Sequence, residues 1–409
     1  MSSPGEAQER VFDVIIVGAG AAGAAVAQTC AGAGQSVLLV EEGGMSLPDE
    51  GPDPNAEHEI PPSSPHDPRA MTNCIAVGGA LHRWGGRCVP FDPEDFGPRR
   101  LPSEPGWPID YDDYARWVAP AAEFLETDPV FATPPPAGWE GQDDLRADRV
   151  ERLNALHQLS HLQDTLSAPG IALLIKVAVV ELLVETGGGR AKVTGLTASD
   201  GTTRFGLRAG RVVLACGGLE TTRLLLLARR THPEMFGDED GALGRYYMGH
   251  LTGSVARFTF QNPADIAAFR YAENGLASPA RRRIMLTTAD LPSVAFWLEN
   301  SAIEDPRHRS GELSAKHLLG GDDRCSDFGG HLRNIVADPK GMLEGLGAAL
   351  RRRRHPERRH PDRLTAKGGD LRLAYHAEHL PLSDSRVRLA ETEDRFGRQK
   401  LRIDFVYGD

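Results

Sequence analysis

Paired cysteines, an excess of basic charge and a membrane-length apolar run are all missing from this 409-residue sequence. The five cysteines (Cys30, Cys74, Cys88, Cys216 and Cys325) are odd in number and scattered, with no CxxC pair. A disulfide framework or a zinc site is therefore not expected, and a reducing compartment is. The first residues, MSSPGEAQERVFDVIIVG, contain neither a basic segment leading into an apolar one nor twin arginines. No export signal is read there, and the expected location is the cytoplasm. The most apolar stretch, 171–184, is short and carries Lys176 and Glu181, so no membrane span is expected. A formal net charge of −11 argues against nucleic acid as the main partner. Internal repeats are also lacking.

What is present is ordinary globular composition, 40% apolar and 25% charged, in a chain long enough for one to three domains. The 45 glycines and 29 prolines imply many tight turns and irregular loops. Residues 12–17, FDVIIV, form a continuous apolar run of the kind buried on both faces of a parallel sheet. A small-residue helix and a second buried strand, SVLLVEE, follow, making a β-α-β unit. Seven prolines among residues 45–70 mark a surface excursion. Residues 147–168 look helical. Several strands are read from Ile171 to about Gly218, then a helix from 219, and a mixed α+β region from about residue 251 with strands near SVARFTF, SVAFWLEN and beyond 371.

Between the first strand and its helix lies Gly18-Ala19-Gly20-Ala21-Ala22-Gly23, a GxGxxG sequence. The first glycine allows the tight turn, the second lets backbone approach a pyrophosphate, and the third lets helix pack on strand. The free N–H groups of the helix start then face the phosphates. Glu41, the first residue past VLLV, is placed to bond ribose hydroxyls, with Glu42 as its rival. The alternative is a glycine-rich turn with no ligand. The motif alone does not separate a flavin from a nicotinamide cofactor.

The remaining landmarks do separate them. The segments VGGALHRWGGRCVPFDPEDF (77–96), GWPIDYDDYARWVAPAAEFL (106–125), RVVLACGGLETTRLLL (211–226), GALGRYYMGH (241–250) and SRVRLAETEDRFG (385–397) occur in this order. Together they resemble the glucose–methanol–choline (GMC) family of FAD-dependent oxidoreductases, in its bacterial sugar and polyol dehydrogenase-like branch. The resemblance implies an α/β fold: a doubly wound, Rossmann-like FAD-binding domain with an α+β substrate domain on an antiparallel or mixed sheet. The FAD domain is expected over 1–250, discontinuous, with the 45–70 excursion and a helical insertion near 106–165. The substrate domain is expected over 251–409.

By resemblance, Gly18, Gly20, Ala21, Ala22, Gly23 and Glu41 would hold the ADP half of FAD, and Val180 would meet the adenine through its backbone. Gly78 and Gly79 would wrap the pyrophosphate and flavin end, and Trp84, Gly85 and Gly86 would lie near the isoalloxazine. Ala215, Cys216 and Gly217 would close over the cofactor from a strand end. Trp84 could equally be core packing, and Cys216, within VVLAC, reads as an inert buried thiol. One branch of the family attaches FAD through a histidine directly before this tryptophan. Here Arg83 holds that position and His82 stands one residue earlier, so non-covalent FAD is expected.

The family reaction moves a hydride from a CH–OH carbon to flavin N5 while a histidine, paired with a second histidine or an asparagine, takes the hydroxyl proton. In the family both residues follow the strand that LRIDFVYGD resembles, so the catalytic pair is expected to be absent from these 409 residues. His82, His250, His376 and His379 read as packing or surface groups rather than the base. The readings are then an FAD-dependent oxidoreductase acting on an alcohol, sugar or polyol, with an unknown electron acceptor; a truncated, inactive flavin-binding protein; or half of a split enzyme needing a complementary C-terminal polypeptide. A nicotinamide dehydrogenase is a further alternative. The basic run Arg351–Arg354, His355, Arg358, Arg359, His360 and Arg363 invites an anionic partner, but a solvated helix end accounts for it.

Overall fold

The computed structural model describes residues 3–47, 58–66, 74–98, 106–139, 144–154, 159–187, 190–236, 241–271, 278–288, 292–319, 327–355, 363–365 and 369–408. In chain order the strands are β1 (Val11–Val17), β2 (Val37–Glu41), β3 (His58–Glu59), β4 (Arg87–Cys88), β5 (Leu145–Leu153), β6 (Ile171–Ile175) and β7 (Ala178–Gly187). They continue as β8 (Arg190–Ser199), β9 (Arg204–Leu214), β10 (His250–Phe258), β11 (Ala280–Leu286) and β12 (Val294–Asn300). The last three are β13 (Leu371–Glu378), β14 (Arg386–Glu393) and β15 (Gln399–Asp404).

Two compact units emerge. The first joins Met1–Trp84, Gln158–Met248 and Leu380–Asp409; the second joins Gly85–His157 and Gly249–His379. The first unit is built on a mixed sheet of order β6-β2-β1-β9-β8-β7. β6, β2, β1 and β9 run parallel, with Ile16 opposite both Leu39 and Val213, and β7-β8-β9 form an antiparallel meander. Parallel strands are covered on both faces, which is why β2 reads VLLVE and buries all five residues. Each such aliphatic side chain contributes about 1.5–3 kcal/mol of burial. The helix Ala21–Gly32 makes the crossover from β1 to β2. A second sheet of the same unit has the order β14-β15-β3.

The second unit is an antiparallel sheet of order β10-β13-β12-β11-β5-β4. One face is apolar: Ala147, Ile284, Leu298 and Leu371 are buried there with Ile266 and Phe269. The helices Gly311–Leu319, Phe328–Ala337 and Pro339–Arg354 belong to this unit. The fold is thus mixed α/β, with one parallel-to-mixed sheet and antiparallel sheets.

Three expectations need correction. Residues 145–153 are a strand, not the start of a helix: Val150 and Leu153 mimic helical spacing, but Arg149 and Glu151 alternate onto a polar sheet face. Residues 204–214 are one strand, where TTRFGLRAG and RVVLACGG read as two of the several strands expected between Ile171 and Gly218. The closing LRIDFVYGD does not end a substrate-domain sheet. Leu401 pairs with His58 of β3, and Leu401, Ile403 and Phe405 are buried against Leu219, Leu226 and Tyr247 of the first unit. Residues 380–409 therefore group with the first compact unit and residues 85–157 with the second. Arg358, Arg359, His360 and Cys325 lie outside the described residues.

Candidate functional site

The turn from β1 into its helix is fixed by backbone geometry. Gly18 adopts φ +100°, and its N–H donates to Val40 O at 2.8 Å. A Cβ on Gly18 would stand 2.7 Å from Ala215 O, and one on Gly23 would stand 2.0 Å from Gly18 O. These two glycines therefore allow backbone to pack on backbone. Gly20 is the helix N-cap and makes no side-chain cap, so the first-turn N–H groups depend on other acceptors.

A second glycine strip is pinned onto this turn. Gly78 N–H donates to Ala19 O at 2.8 Å, and Gly20 and Gly78 form an isolated parallel bridge. Gly78 and Gly79 have φ +102° and +50° and open a short 3-10 helix, Gly79–His82. His82 Nε2 donates to Val77 O at 2.9 Å, closing that loop on itself.

The two strips border a cavity of about 370 Å³ that lies wholly within the first unit. Gly18, Gly20, Ala21, Ala22, Glu41, Gly78, Gly79, Trp84, Ala215, Cys216 and Gly217 line it. Gly23 sits one layer behind, where it seats the helix on Gly18. Val180 is not a lining residue. Its neighbours Val177 and Val179 are, while Val180 packs with Ala178 and Phe396 at a register shift between β7 and β8. Gly85 and Gly86 belong to the second unit and do not line this cavity.

Glu41 is buried, and each of its carboxylate oxygens accepts one backbone N–H: Oε2 from Ala19 and Oε1 from Gly43, both at 2.9 Å. Burial raises its pKa, and the two N–H donors hold the rise back. A carboxylate offers about four acceptor positions, so capacity remains for two hydroxyl donors. Cys216, the residue before the helix Gly217–Thr231, has its thiol pushed up to about 11 by burial, partly offset by Thr221 Oγ1 at 3.4 Å. It is a poor nucleophile at neutral pH.

Sequence reasoning missed most of the polar wall opposite, His58, Glu220, Arg223 and Arg398, and weighed Glu42, which joins them, only as the rival of Glu41. Asp394 behind it bonds Arg223 Nη2 and Arg398 Nη2, each at 2.8 Å, and Arg398 Nη2 also meets Glu42 at 2.9 Å. Burial opposes ionisation of Asp394, but Arg398 and Arg223 outweigh it and hold the carboxyl below its ordinary range. Burial raises Glu42, with Arg398 pulling the other way. The DRFGR stretch that carries Asp394 and Arg398 lay within and just beyond a landmark already singled out, but its partners stand some 170 residues or more away.

The residues fit an extended dinucleotide. Small residues expose backbone along the cavity floor, an uncapped helix start borders it, and a buried acid stands at the end of β2. Among the described residues no cluster of three or more His, Cys, Asp or Glu could hold a metal ion, and no helix is long and apolar enough to cross a membrane.

No family model matches the sequence. A curated 2-methyl-1,2-propanediol dehydrogenase of Mycolicibacterium austroafricanum is 25% identical over 319 residues, which is 60% of this chain and 56% of that protein. The chain thus matches little more than half the length of this relative. The crystal structure of pyridoxine 4-oxidase from Mesorbium loti aligns with 96% of this chain and 75% of its own, at a TM-score of 0.47 and 15% identity.

Proposed function

We propose that this chain is an FAD-dependent oxidoreductase of the GMC type, acting on a CH–OH group of a small alcohol, sugar or polyol. The observation that carries the reading is the joining of two glycine strips, Gly18–Gly23 and Gly78–Gly79, around one cavity closed by Glu41. The dehydrogenase relative agrees with it in reaction class. Bound FAD would supply the hydride acceptor, its N5.

The chain's own groups would bind and orient. The first-turn N–H groups at Gly20–Ala22 would hold the pyrophosphate, and Glu41 would accept from the ribose hydroxyls. Glu42 and Arg398 stand on the polar wall beside Val179, whose carbonyl accepts from Arg398 Nη1 at 3.3 Å. His82 is tied to Val77 O, which supports non-covalent attachment. The proton-accepting base is not assigned to any of the fourteen histidines.

The purified chain loaded with FAD should show flavin absorbance that acid precipitation releases entirely into the supernatant. Addition of a diol or polyol under anaerobic conditions should bleach it. Colour retained in the pellet would sink the non-covalent reading. A colourless protein stabilised by NAD instead would sink the flavin reading. Bound flavin that no alcohol bleaches would favour a flavin-binding chain that depends on another segment for turnover.

A further inference from the structure

Three consecutive arginines, Arg281–Arg283, stand in β11. Alternation sends Arg282 to one face, where it donates to Pro134 O at 2.8 Å and Ala268 O at 3.3 Å, and sends Arg281 and Arg283 to the other. The register puts Glu151 of β5 opposite Arg281, and places Trp297 and His376 on the same face across β12 and β13. Arg87 of β4 joins them, its Cζ 5.7 Å from the Trp297 ring centre.

The charges on this face do not cancel. Glu151 Oε1 accepts from Arg281 Nη2 at 2.7 Å and from the Tyr271 hydroxyl, with Arg87 Nε 3.9 Å away. Glu151 thus answers two guanidinium groups, Arg281 and Arg87, and leaves the third, Arg283, outside ion-pair distance. Nearby acids are committed elsewhere: Asp92 to Arg149 at 2.7 Å, and Asp148 to Arg149 and Arg146 at 2.9 and 3.3 Å. Among the described residues the Arg283 side chain makes no hydrogen bond or ion pair, and its Nε is shielded from solvent without a partner. A guanidinium remains charged under these conditions, and leaving one half-buried and unpaired carries a desolvation cost. An oxyanion ligand would offset that cost, and a guanidinium fork is shaped to take one bidentately.

The same face carries groups suited to hydroxyls. His250 and His376 stack at 5.6 Å, and His376 meets the Trp297 ring edge-on at 4.7 Å. Burial first, then the charges of His250, Arg87 and Arg283, lower the pKa of His376, so it is neutral near pH 7 and able to donate or accept.

We propose that this face of the second unit's sheet recognises a small polyhydroxylated substrate bearing an oxyanion, a carboxylate or phosphate, with Arg283 pairing the anion and Arg281 and Arg87 beside it. The inference deepens the oxidoreductase reading by naming its substrate class and rests on it only for turnover. Anion binding itself needs no flavin.

Calorimetric titration of the FAD-loaded full chain at fixed ionic strength would compare D-gluconate, glucose 6-phosphate and D-glucose. At least one of the two anions should bind tenfold or more tighter than glucose, and which one does so separates carboxylate from phosphate. Arg283→Met should reduce anion affinity to the level of glucose, while Arg333→Met, an exposed residue of the helix Phe328–Ala337, should leave it unchanged. Because it removes an unpaired, half-buried charge, Arg283→Met should not lower the thermal midpoint. Equal affinity for all three sugars overturns the proposal without recourse to any variant, as does undiminished anion affinity in Arg283→Met. Flavin binding without anion preference sinks this inference alone, whereas anion preference without flavin binding sinks the flavin reading alone.

Discussion

A Cβ on Gly23 would meet the carbonyl oxygen of Gly18 at 2.0 Å and its carbonyl carbon at 3.1 Å. Both are backbone atoms of the turn that borders the cavity, so the clash has no flexible side chain to absorb it. Gly23→Ala should therefore destabilise the protein by about 1–3 kcal/mol, as overpacked cores do, and weaken flavin retention by displacing the helix start. Gly32→Ala, in the same helix with nothing within 4 Å of its Cβ, is the matched control and should be neutral or slightly stabilising. Urea midpoints decide it, and equal midpoints for Gly23→Ala and wild type would refute the packing role. These glycines were legible because a local turn forces both their spacing and their identity. Arg223, Arg398 and Asp394 were not legible, since each is an unremarkable surface-type residue until tertiary contacts bury it.

Helix Gly217–Thr231, the hairpin β14–β15 and the residue after β2 meet at one ionic junction: Arg223, Asp394, Arg398 and Glu42. Asp394 lies between two buried guanidinium groups, and removing it would leave both under-compensated. Asp394→Asn should cost about 3–5 kcal/mol near neutral pH, the range for breaking a buried pair by one partner. The folded-state pKa of Asp394 lies below its ordinary 3.8. Its stabilisation is therefore present above that value and lost as pH falls through the lower, folded pKa. The stability gap between wild type and Asp394→Asn, read from denaturant curves, should narrow as pH falls below 3.8. A gap that stays constant through the acid range would remove Asp394 as the cause. Element recognition from sequence failed for a related reason. β5 (LRADRVERL) and β11 (ARRRIML) place charges on a polar sheet face, so neither has the continuous apolar run that identified β1 and β2.

At the scale of the whole chain, β15 makes a pairing that sequence order does not report. Sheet β14-β15-β3 brings residues 386–404 beside residues 58–59 in the first unit, a pairing across more than 330 positions that no local pattern reports. The first unit is thus assembled from three separated stretches, and its cavity takes lining residues from all three: Gly18 to Trp84, Val177 to Leu224, and Arg398. A ligand bound there would tie those stretches together. With FAD at roughly one hundred times its dissociation constant, mass action adds about 2.7 kcal/mol to the stability of whatever binds it. Hydrogen exchange should then show FAD-dependent protection at the Gly18–Gly23 turn from β1 into its helix, at residues 74–84, in β7, at the start of helix Gly217–Thr231 and around Arg398 together. Separated peptides should gain by similar factors, because one opening event would expose them all. Protection confined to the Gly18–Gly23 turn would mean that the other two stretches do not hold the cofactor, and protection mainly in β10–β13 would place the flavin somewhere other than this cavity.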